Sequence, residues 1–159
     1  MSWSIGVVVI GRNEGARLRR CLASVQRAGV PVIYVDSASS DASVDVARAH
    51  AAHVVELDPD EPLCAARARN AGKNALQELY PECTFVCFVD GDCELAQGWI
   101  AAASYFLTSH DRLAAVAVRC RIVGRRETGN DEHDHHRKET DPPPSTVFKP
   151  LYEKTSLIE

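Results

Sequence analysis

The feature that most constrains the fold of this chain is the alternation of continuous apolar segments with segments of helical period. Five segments are predicted to be strands: residues 5–10, 31–36, 53–57, 84–89 and 113–123. The first, IGVVVI, is unbroken, as in a strand buried on both faces. After it, Leu18, Leu22 and Val25 recur at helical spacing. Strands that alternate with helices predict an α/β fold with a mainly parallel sheet and helices on both faces.

The composition changes after about residue 126, which divides the chain into two predicted parts. Residues 1–126 carry the alternating pattern, whereas residues 127–159 are polar, charged and proline-bearing, with no strand or helix period. Such a segment buries too little apolar surface to offset the entropy lost on ordering, so we expect a poorly ordered tail. His133, His135 and His136 lie there among acids. Without a scaffold to fix ligand geometry, they indicate a solvated tail rather than a metal site.

The net charge, the lack of a long apolar segment and the cysteine spacing bear on whether the chain binds nucleic acid, a membrane or zinc. The 159 residues carry a formal net charge of -4, which argues against a nucleic-acid binder because no basic excess exists to neutralise phosphates. We find no segment long enough to span a bilayer and no signal peptide, so the chain is predicted to be cytoplasmic or peripheral to a membrane. The six cysteines are expected to be mostly buried. A zinc site of Cys83, Cys87 and Cys93 is an alternative with unfavourable spacing.

The residues that follow the strands are the candidates for a binding site, because ligands of open α/β sheets bind beyond the carboxyl ends of the strands. Asn13 and Glu14, preceded by Arg12, come after the first strand. Asp36 ends the second strand, and an Asp-Gly-Asp stretch at residues 90–92 follows the fourth. These polar groups are far apart in sequence, but the fold would bring them to one edge of the sheet. We therefore predict a single site at that edge.

Asp90 and Asp92 flank a glycine, which permits a tight turn and the close approach of a ligand. Two neighbouring carboxylates repel each other unless a cation compensates them. Mg²⁺ or Mn²⁺ is the natural compensator, because these ions bind carboxylate oxygens together with substrate phosphates. For a lone Asp-x-Asp, a polar turn without a ligand is the usual alternative. The position after a buried strand, on the same edge as Asp36, favours a metal site.

Asp36 is predicted to contact a nucleotide. Its carboxylate is suited to accept hydrogen bonds from a base or a ribose, and a cap for the following turn is the alternative. The serines of that turn are expected to shape it rather than to contact a ligand; they are Ser37, Ser39 and Ser40.

Arg67 and Arg69 lie near the start of the helix predicted over residues 63–79. A guanidinium offers a planar fork that suits a phosphate or a base. Each arginine could equally belong to a solvated basic face of the helix. The sequence leaves both alternatives open for both arginines.

Four stretches, taken together, resemble the nucleotide-sugar half of family 2 glycosyltransferases, which have the Rossmann-like GT-A fold: VVVIGRNEGARLRRCLASV, VIYVDSASSDASVDVARAH, ARARNAGKNAL and FVCFVDGDCELAQGWI. The resemblance covers about residues 5–123. It implies that Asp36 contacts the nucleobase and that Asp90 lies near the ribose. It also implies that Asp92, the last residue of the family's DxD motif, binds the divalent metal. The full set of expected nucleotide-sugar-binding residues is Asn13, Glu14, Asp36, Arg69 and Asp90.

The implied function is metal-dependent, inverting transfer of a sugar from a nucleotide-diphosphate sugar to an acceptor hydroxyl of a glycan, lipid or small molecule. Mn²⁺ or Mg²⁺ would be the cofactor. The chain departs from the family at Gly11-Arg12, where members often have a proline and an aromatic residue, and at Ser37, where many have a second aspartate. Both departures bear on the preferred base.

Two other functional classes compete with the transferase. No region after residue 123 resembles the part of the family that carries the catalytic acid, so a nucleotide-sugar-binding remnant without an acceptor half is the first alternative. A phosphatase-like hydrolase is the second. It would need its pair of aspartates after the first strand, whereas this chain has Gly-Arg-Asn-Glu there.

Overall fold

The computed structural model describes residues 4–50, 52–109 and 121–122 of the chain. Strands and helices alternate through this part, as the apolar pattern predicts. In chain order the elements are β1 (Ile5–Gly11), α1 (Gly15–Gln26), β2 (Val32–Asp36), α2 (Ser43–Ala49), β3 (His53–Glu56), α3 (Ala65–Leu79), β4 (Phe85–Asp90), β5 (Cys93–Glu94), α4 (Trp99–Ser109) and β6 (Arg121–Ile122).

Within the described residues, four strands form a parallel sheet in the order β3-β2-β1-β4. β1 is a central strand, paired with β2 on one side and with β4 on the other. Its register places Gly11 opposite Asp36 and Ile10 opposite Asp90. The polar residues at the ends of β1, β2 and β4 therefore lie at one edge of the sheet, and the predicted mainly parallel α/β fold is confirmed.

The two faces of the sheet pack against different helices, which explains the unbroken apolar run of β1. Val7 and Val9 belong to the core cluster that includes α1, α2 and α4. Val8 and Ile10 point to the opposite face, where α3 packs. The three valines have no exposed surface. Burial of one such side chain is worth about 1.5–3 kcal/mol, so a polar residue anywhere in this run would be costly.

The predicted fifth strand differs in part. Its described end, Arg121–Ile122, pairs antiparallel with Cys93–Glu94 in a separate two-stranded sheet and does not extend the parallel one. Residues 113–120 and residue 123 lie outside the described residues, as does the predicted polar tail at 127–159 with its three histidines. In the described part, no helix has the length and apolar character needed to cross a bilayer.

Candidate functional site

A cleft of about 410 Å³ opens at the carboxyl edge of the sheet. Of the predicted site residues, Glu14, Arg69, Asp90 and Asp92 line it, whereas the buried Asp36 and the exposed Asn13 do not. A larger cavity of about 500 Å³ lies at the other end of β1, near Ser4 and Gly98. No carboxylate lines that cavity within the described part of the chain. The smaller cleft is therefore the candidate site, because it is lined by acidic and basic side chains and has room for a ligand.

Asp36 is buried, with 2% of its surface exposed. Its Oδ1 atom accepts hydrogen bonds from the hydroxyls of Tyr34 (3.0 Å) and Ser39 (2.6 Å), and its Oδ2 atom accepts one from the Ser39 backbone N–H (2.7 Å). Burial, followed by the charge of Asp36, raises the pKa of Tyr34, so its hydroxyl stays a donor. These bonds match the turn-capping alternative and leave Oδ2 with one lone pair for a further donor. A contact with a nucleobase stays a prediction.

Ser39 links Asp36 to Asn13 on the neighbouring strand end. While its hydroxyl donates to Asp36, it accepts the backbone N–H of Asn13 at 2.9 Å. In return, the side-chain oxygen of Asn13 accepts the backbone N–H of Ser40 at 2.8 Å. Asn13 has a φ of 56°, a left-handed conformation that asparagine tolerates better than most residues. Asn13 thus fixes the loop after β1 to the loop after β2, and Ser39 and Ser40 shape their turn as predicted.

The start of α1 is capped from another part of the chain. The hydroxyl of Ser43 accepts the backbone N–H groups of Glu14 (3.1 Å) and Gly15 (3.2 Å), which are free at a helix start. Asp41 in turn accepts the backbone N–H of Ser43 at 2.9 Å. The hydrogen bond from the Ser43 side chain is the main cause that lowers the pKa of Asp41. The loop that carries the cleft residues after β1 is therefore held by groups from the β2–α2 connection.

Ala38 lies in this turn with a φ of 58°, although its side chain disfavours that region. The left-handed conformation costs a residue with a Cβ about 1–2 kcal/mol, and glycine avoids most of this cost. Because glycine also makes the unfolded chain more flexible, by about 0.4–1 kcal/mol, we expect Ala38→Gly to raise the free energy of unfolding by about 0.5–1 kcal/mol. Urea denaturation measures the difference.

The matched control is Ala28→Gly at an exposed position without a positive φ. There only the entropy of the unfolded chain changes, so the substitution should lower the stability. A loss of stability in both variants would contradict the strain assigned to Ala38.

The structure separates the two arginines of α3. Arg69 lines the cleft, and its Nη2 atom lies 3.0 Å from Asp90 Oδ1 as an exposed ion pair. Arg67 turns away and pairs with Glu61 at 2.6 Å. It also donates to the backbone carbonyls of Asp58, Glu61 and Pro62. Arg67 therefore holds the loop before α3, and Arg69 is the arginine at the site.

The Asp-Gly-Asp turn is fixed from behind. The N–H of Gly91 donates to the Ile10 carbonyl at 2.8 Å. A Cβ at this glycine would lie 3.1 Å from Glu14 Cγ and 3.2 Å from the Ile10 carbonyl oxygen, so a larger residue would press on both neighbours. Beyond the turn, the Ser24 hydroxyl accepts the buried N–H of Leu95 at 2.8 Å. These contacts set where Asp90 and Asp92 present their carboxylates.

Glu14 lies beneath this turn with a largely buried side chain. Burial raises its pKa, the charge of Arg17 opposes the shift, and the carboxylates of Asp92, Asp41 and Asp90 add to it. Its Oε2 atom lies 2.8 Å from Arg17 Nη2 as an ion pair, but without hydrogen-bond geometry. Glu14 is therefore a lining carboxylate that adds negative potential next to Asp92.

The donor set of the cleft fits a hard divalent cation in part. Asp92 accepts a weak hydrogen bond from the Cys93 thiol at 3.5 Å, and no arginine or lysine among the described residues pairs with it. Nor do the described residues contain a cluster of three metal-ligating side chains, so Cys83, Cys87 and Cys93 do not form one. Mg²⁺ and Mn²⁺ sites often need just one or two carboxylates, with substrate phosphates completing the shell. Asp92 fits that role.

Sequence reasoning missed several lining residues. Arg12, Ser37 and Cys64 contribute to the cleft, although Ser37 was expected only to shape its turn and the other two were assigned no role in the site. Arg12 and Ser37 each follow a strand directly, and this position could have identified them as residues of the site. Cys64 precedes α3, and its thiol accepts the Arg67 N–H at 3.4 Å as the helix cap. No spacing rule marks such a residue.

Comparison with known proteins gives one family. The family described as Glycosyl transferase family 2 matches residues 6–156, which extends past the motifs at residues 5–123. An uncharacterized glycosyltransferase of Rickettsia prowazekii (strain Madrid E) is 30% identical over 123 residues, 76% of this chain and 39% of its own length. A second one, from Rickettsia bellii (strain RML369-C), is 29% identical over 78% of this chain and 40% of its own. The chain spans about two fifths of these curated relatives.

Two solved structures share the fold. S. aureus TarS 1-349 in complex with UDP superposes with a TM-score of 0.56 and 20% identity over 68% of this chain and 33% of its own. The mannosyltransferase PcManGT from Pyrobaculum calidifontis, in complex with GDP-Man and Mn²⁺, gives a TM-score of 0.50 and 23% identity over 65% of this chain and 32% of its own. Both are GT-A glycosyltransferases, so the expected GT-A fold is confirmed.

Proposed function

This chain belongs to glycosyl transferase family 2, and we propose that it binds a nucleotide-diphosphate sugar together with Mn²⁺ or Mg²⁺ for transfer of the sugar to an acceptor hydroxyl. The observation that carries the proposal is the arrangement of the cleft. Asp92 presents a carboxylate without a cationic partner among the described residues, next to an Asp90 that Arg69 already neutralises. The two aspartates of one motif therefore have different environments and suit different tasks.

The nucleoside is assigned to the β1–β2 side of the cleft. The free lone pair of Asp36 Oδ2 suits an N–H donor of a base, and Ser37 lines the adjacent wall. Asn13 acts there by holding the two loops together. Because Asp36 is so deeply buried, a base would reach it edge-on. Preorganised acceptors of this kind bind a ligand without a further entropic cost of ordering.

The diphosphate is assigned to the β4 side. Asp92 would bind the metal, Asp90 with Arg69 would flank the ribose, and Glu14 would reinforce the negative potential that attracts a cation. When bound, a divalent ion neutralises charge on the departing nucleotide and orients it. The structure of PcManGT with GDP-Man and Mn²⁺ supports the use of a divalent ion in a related fold. The same proposal includes inversion of configuration at the transferred sugar's anomeric carbon. It also includes an acceptor that is a glycan, a lipid or a small molecule.

Calorimetry of the full chain tests this function with UDP and GDP, the nucleotides of the two related structures. We expect binding in the presence of Mn²⁺ and a loss of at least about 10-fold in affinity with EDTA, since a charged contact is worth about 1.5–3 kcal/mol and 1.4 kcal/mol is tenfold. Mn²⁺ titrated alone should bind much more weakly than with nucleotide, because the phosphates complete its shell. Equal nucleotide affinity with Mn²⁺ and with EDTA would refute the metal role.

A further inference from the structure

Arg12 is a cation in the cleft that the roles above leave unused. It lines the cleft directly after β1, the strand that lies between β2 and β4, and its residue is exposed. Three other arginines of this region each form an ion pair with an acid: Arg69 with Asp90 at 3.0 Å, Arg17 with Glu14 at 2.8 Å, and Arg67 with Glu61 at 2.6 Å. Arg12 forms no hydrogen bond or ion pair with any described residue. Its guanidinium is therefore available to a ligand.

The backbone on both sides of Arg12 is fixed. The Gly11 carbonyl accepts the N–H of Ser37 at 3.0 Å. On the other side, the N–H of Asn13 donates to Ser39 at 2.9 Å, and its side chain accepts the N–H of Ser40 at 2.8 Å. The Cα of Arg12 is thus held in place while its side chain has no partner among the described residues. Because the backbone of Arg12 is already fixed, less conformational entropy is lost when its guanidinium binds a ligand.

The net charge of the cleft is negative, so a further cation would be needed to bind an anionic ligand. Three carboxylates line it, from Glu14, Asp90 and Asp92, against two arginines, Arg12 and Arg69. A diphosphate carries negative charge of its own, and a cleft with an excess of carboxylates would repel it. A divalent ion at Asp92 offsets part of this repulsion. Arg69 adds little, because Asp90 already compensates it.

We propose that the Arg12 guanidinium binds the donor's diphosphate, as a protein cation beside the metal at Asp92. The inference rests on the proposed function and adds a residue to it. Two parallel N–H groups of a guanidinium match two phosphate oxygens, a geometry that a lysine ammonium does not reproduce. Stacking of the same planar group on the base is the competing contact, and the experiment below separates the two.

The test compares Arg12→Ala and Arg12→Lys with the unchanged chain. UDP or GDP, whichever the unchanged chain binds, is titrated with Mg²⁺, and the corresponding nucleoside is titrated by NMR. We expect Arg12→Ala to weaken nucleoside diphosphate binding by about 10-fold or more, with unchanged nucleoside binding. Arg12→Lys should recover part of the loss. The decline of affinity with added salt should be shallower in Arg12→Ala, because one charged contact is gone.

The matched control is Arg19→Ala, an exposed arginine of α1 that lies outside the cleft, beside Asp45 and His50. It removes the same charge and should leave both affinities unchanged. An equal loss for nucleoside and nucleoside diphosphate in Arg12→Ala would show that Arg12 contacts the base and would overturn the assignment. An Arg12→Ala chain that binds like the unchanged one would overturn it as well. Absence of any nucleotide binding by the unchanged chain would instead refute the proposed function.

Discussion

Replacing Gly72 with alanine is expected to lower the free energy of unfolding by about 1–3 kcal/mol, the usual cost of overpacking a core. Gly72 is buried where α3 crosses the sheet. A Cβ there would lie 2.8 Å from Val35 Cγ2 and would overlap Val8 Cγ1 even more closely. Both valines are fully buried and cannot turn into solvent. α3 would have to move away from the sheet or the valines would have to leave their rotamers.

The sign of this effect is informative, because helix propensity alone predicts the opposite. Alanine is favoured over glycine in a helix by about 1 kcal/mol. Asn74→Ala, at an exposed position of the same helix, tests that propensity without any packing change and should be neutral or slightly stabilising. Urea denaturation of both variants gives the comparison. A Gly72→Ala chain as stable as the Asn74→Ala chain would show that α3 does not approach the sheet this closely.

Replacing Asp92 with alanine should remove most of the metal-dependent part of nucleotide binding. Asp92 supplies the cleft carboxylate that no described cation compensates, so its loss removes the main attraction for a divalent ion. A charged contact of about 1.5–3 kcal/mol corresponds to a 10- to 100-fold weaker affinity with Mn²⁺. With EDTA, the variant should bind nucleotide at least as tightly as the unchanged chain, because one carboxylate that repels the diphosphate is gone. Calorimetry under both conditions measures the two parts separately.

Glu94→Ala is the matched control, since Glu94 is an acid two residues further on whose weak, exposed ion pair with Arg20 spans 3.6 Å. It changes the net charge equally but should leave the metal dependence intact. Asp92→Asn extends the test by removing the charge at constant shape, and it should behave like the alanine variant. If Asp92→Ala retained the full difference between Mn²⁺ and EDTA, the metal would have to bind elsewhere.

The edge of the sheet that holds the site could be predicted from local pattern. Strands 5–10 and 84–89 were marked by apolar runs, and two acids within four residues of their ends, Glu14 and Asp92, line the observed cleft. This inference needs no distances. Parallel strands joined by helices all end at the same edge, so any residue that follows a strand is carried there by topology.

The environment of each carboxylate was not predictable in the same way. Asp36 and Asp90 are each the last residue of a strand, yet Asp36 receives three hydrogen bonds in the core and Asp90 faces Arg69 in solvent. Likewise, Arg67 and Arg69 are two residues apart on one helix and have different partners. A helix rotates by about 100° per residue, so the face that meets the cleft depends on how α3 is set against the sheet.

By itself, the sequence determined the fold class and the edge of the sheet at which the candidate site lies, because hydrophobic period and chain topology are local properties. It also named three acids that line the observed cleft, Glu14, Asp90 and Asp92. Only the tertiary structure decided which of the predicted residues line the cleft. It also showed that Arg67 donates to the backbone carbonyl of Asp58, and that Arg12 has no partner among the described residues. It also turned the described end of the fifth predicted strand, Arg121–Ile122, onto β5 instead of the parallel sheet. The physical reason is that several of the hydrogen bonds and ion pairs that build the site join groups distant in sequence, from 21 residues for Arg69 and Asp90 to 71 for Ser24 and Leu95. Their geometry is set by packing and not by spacing.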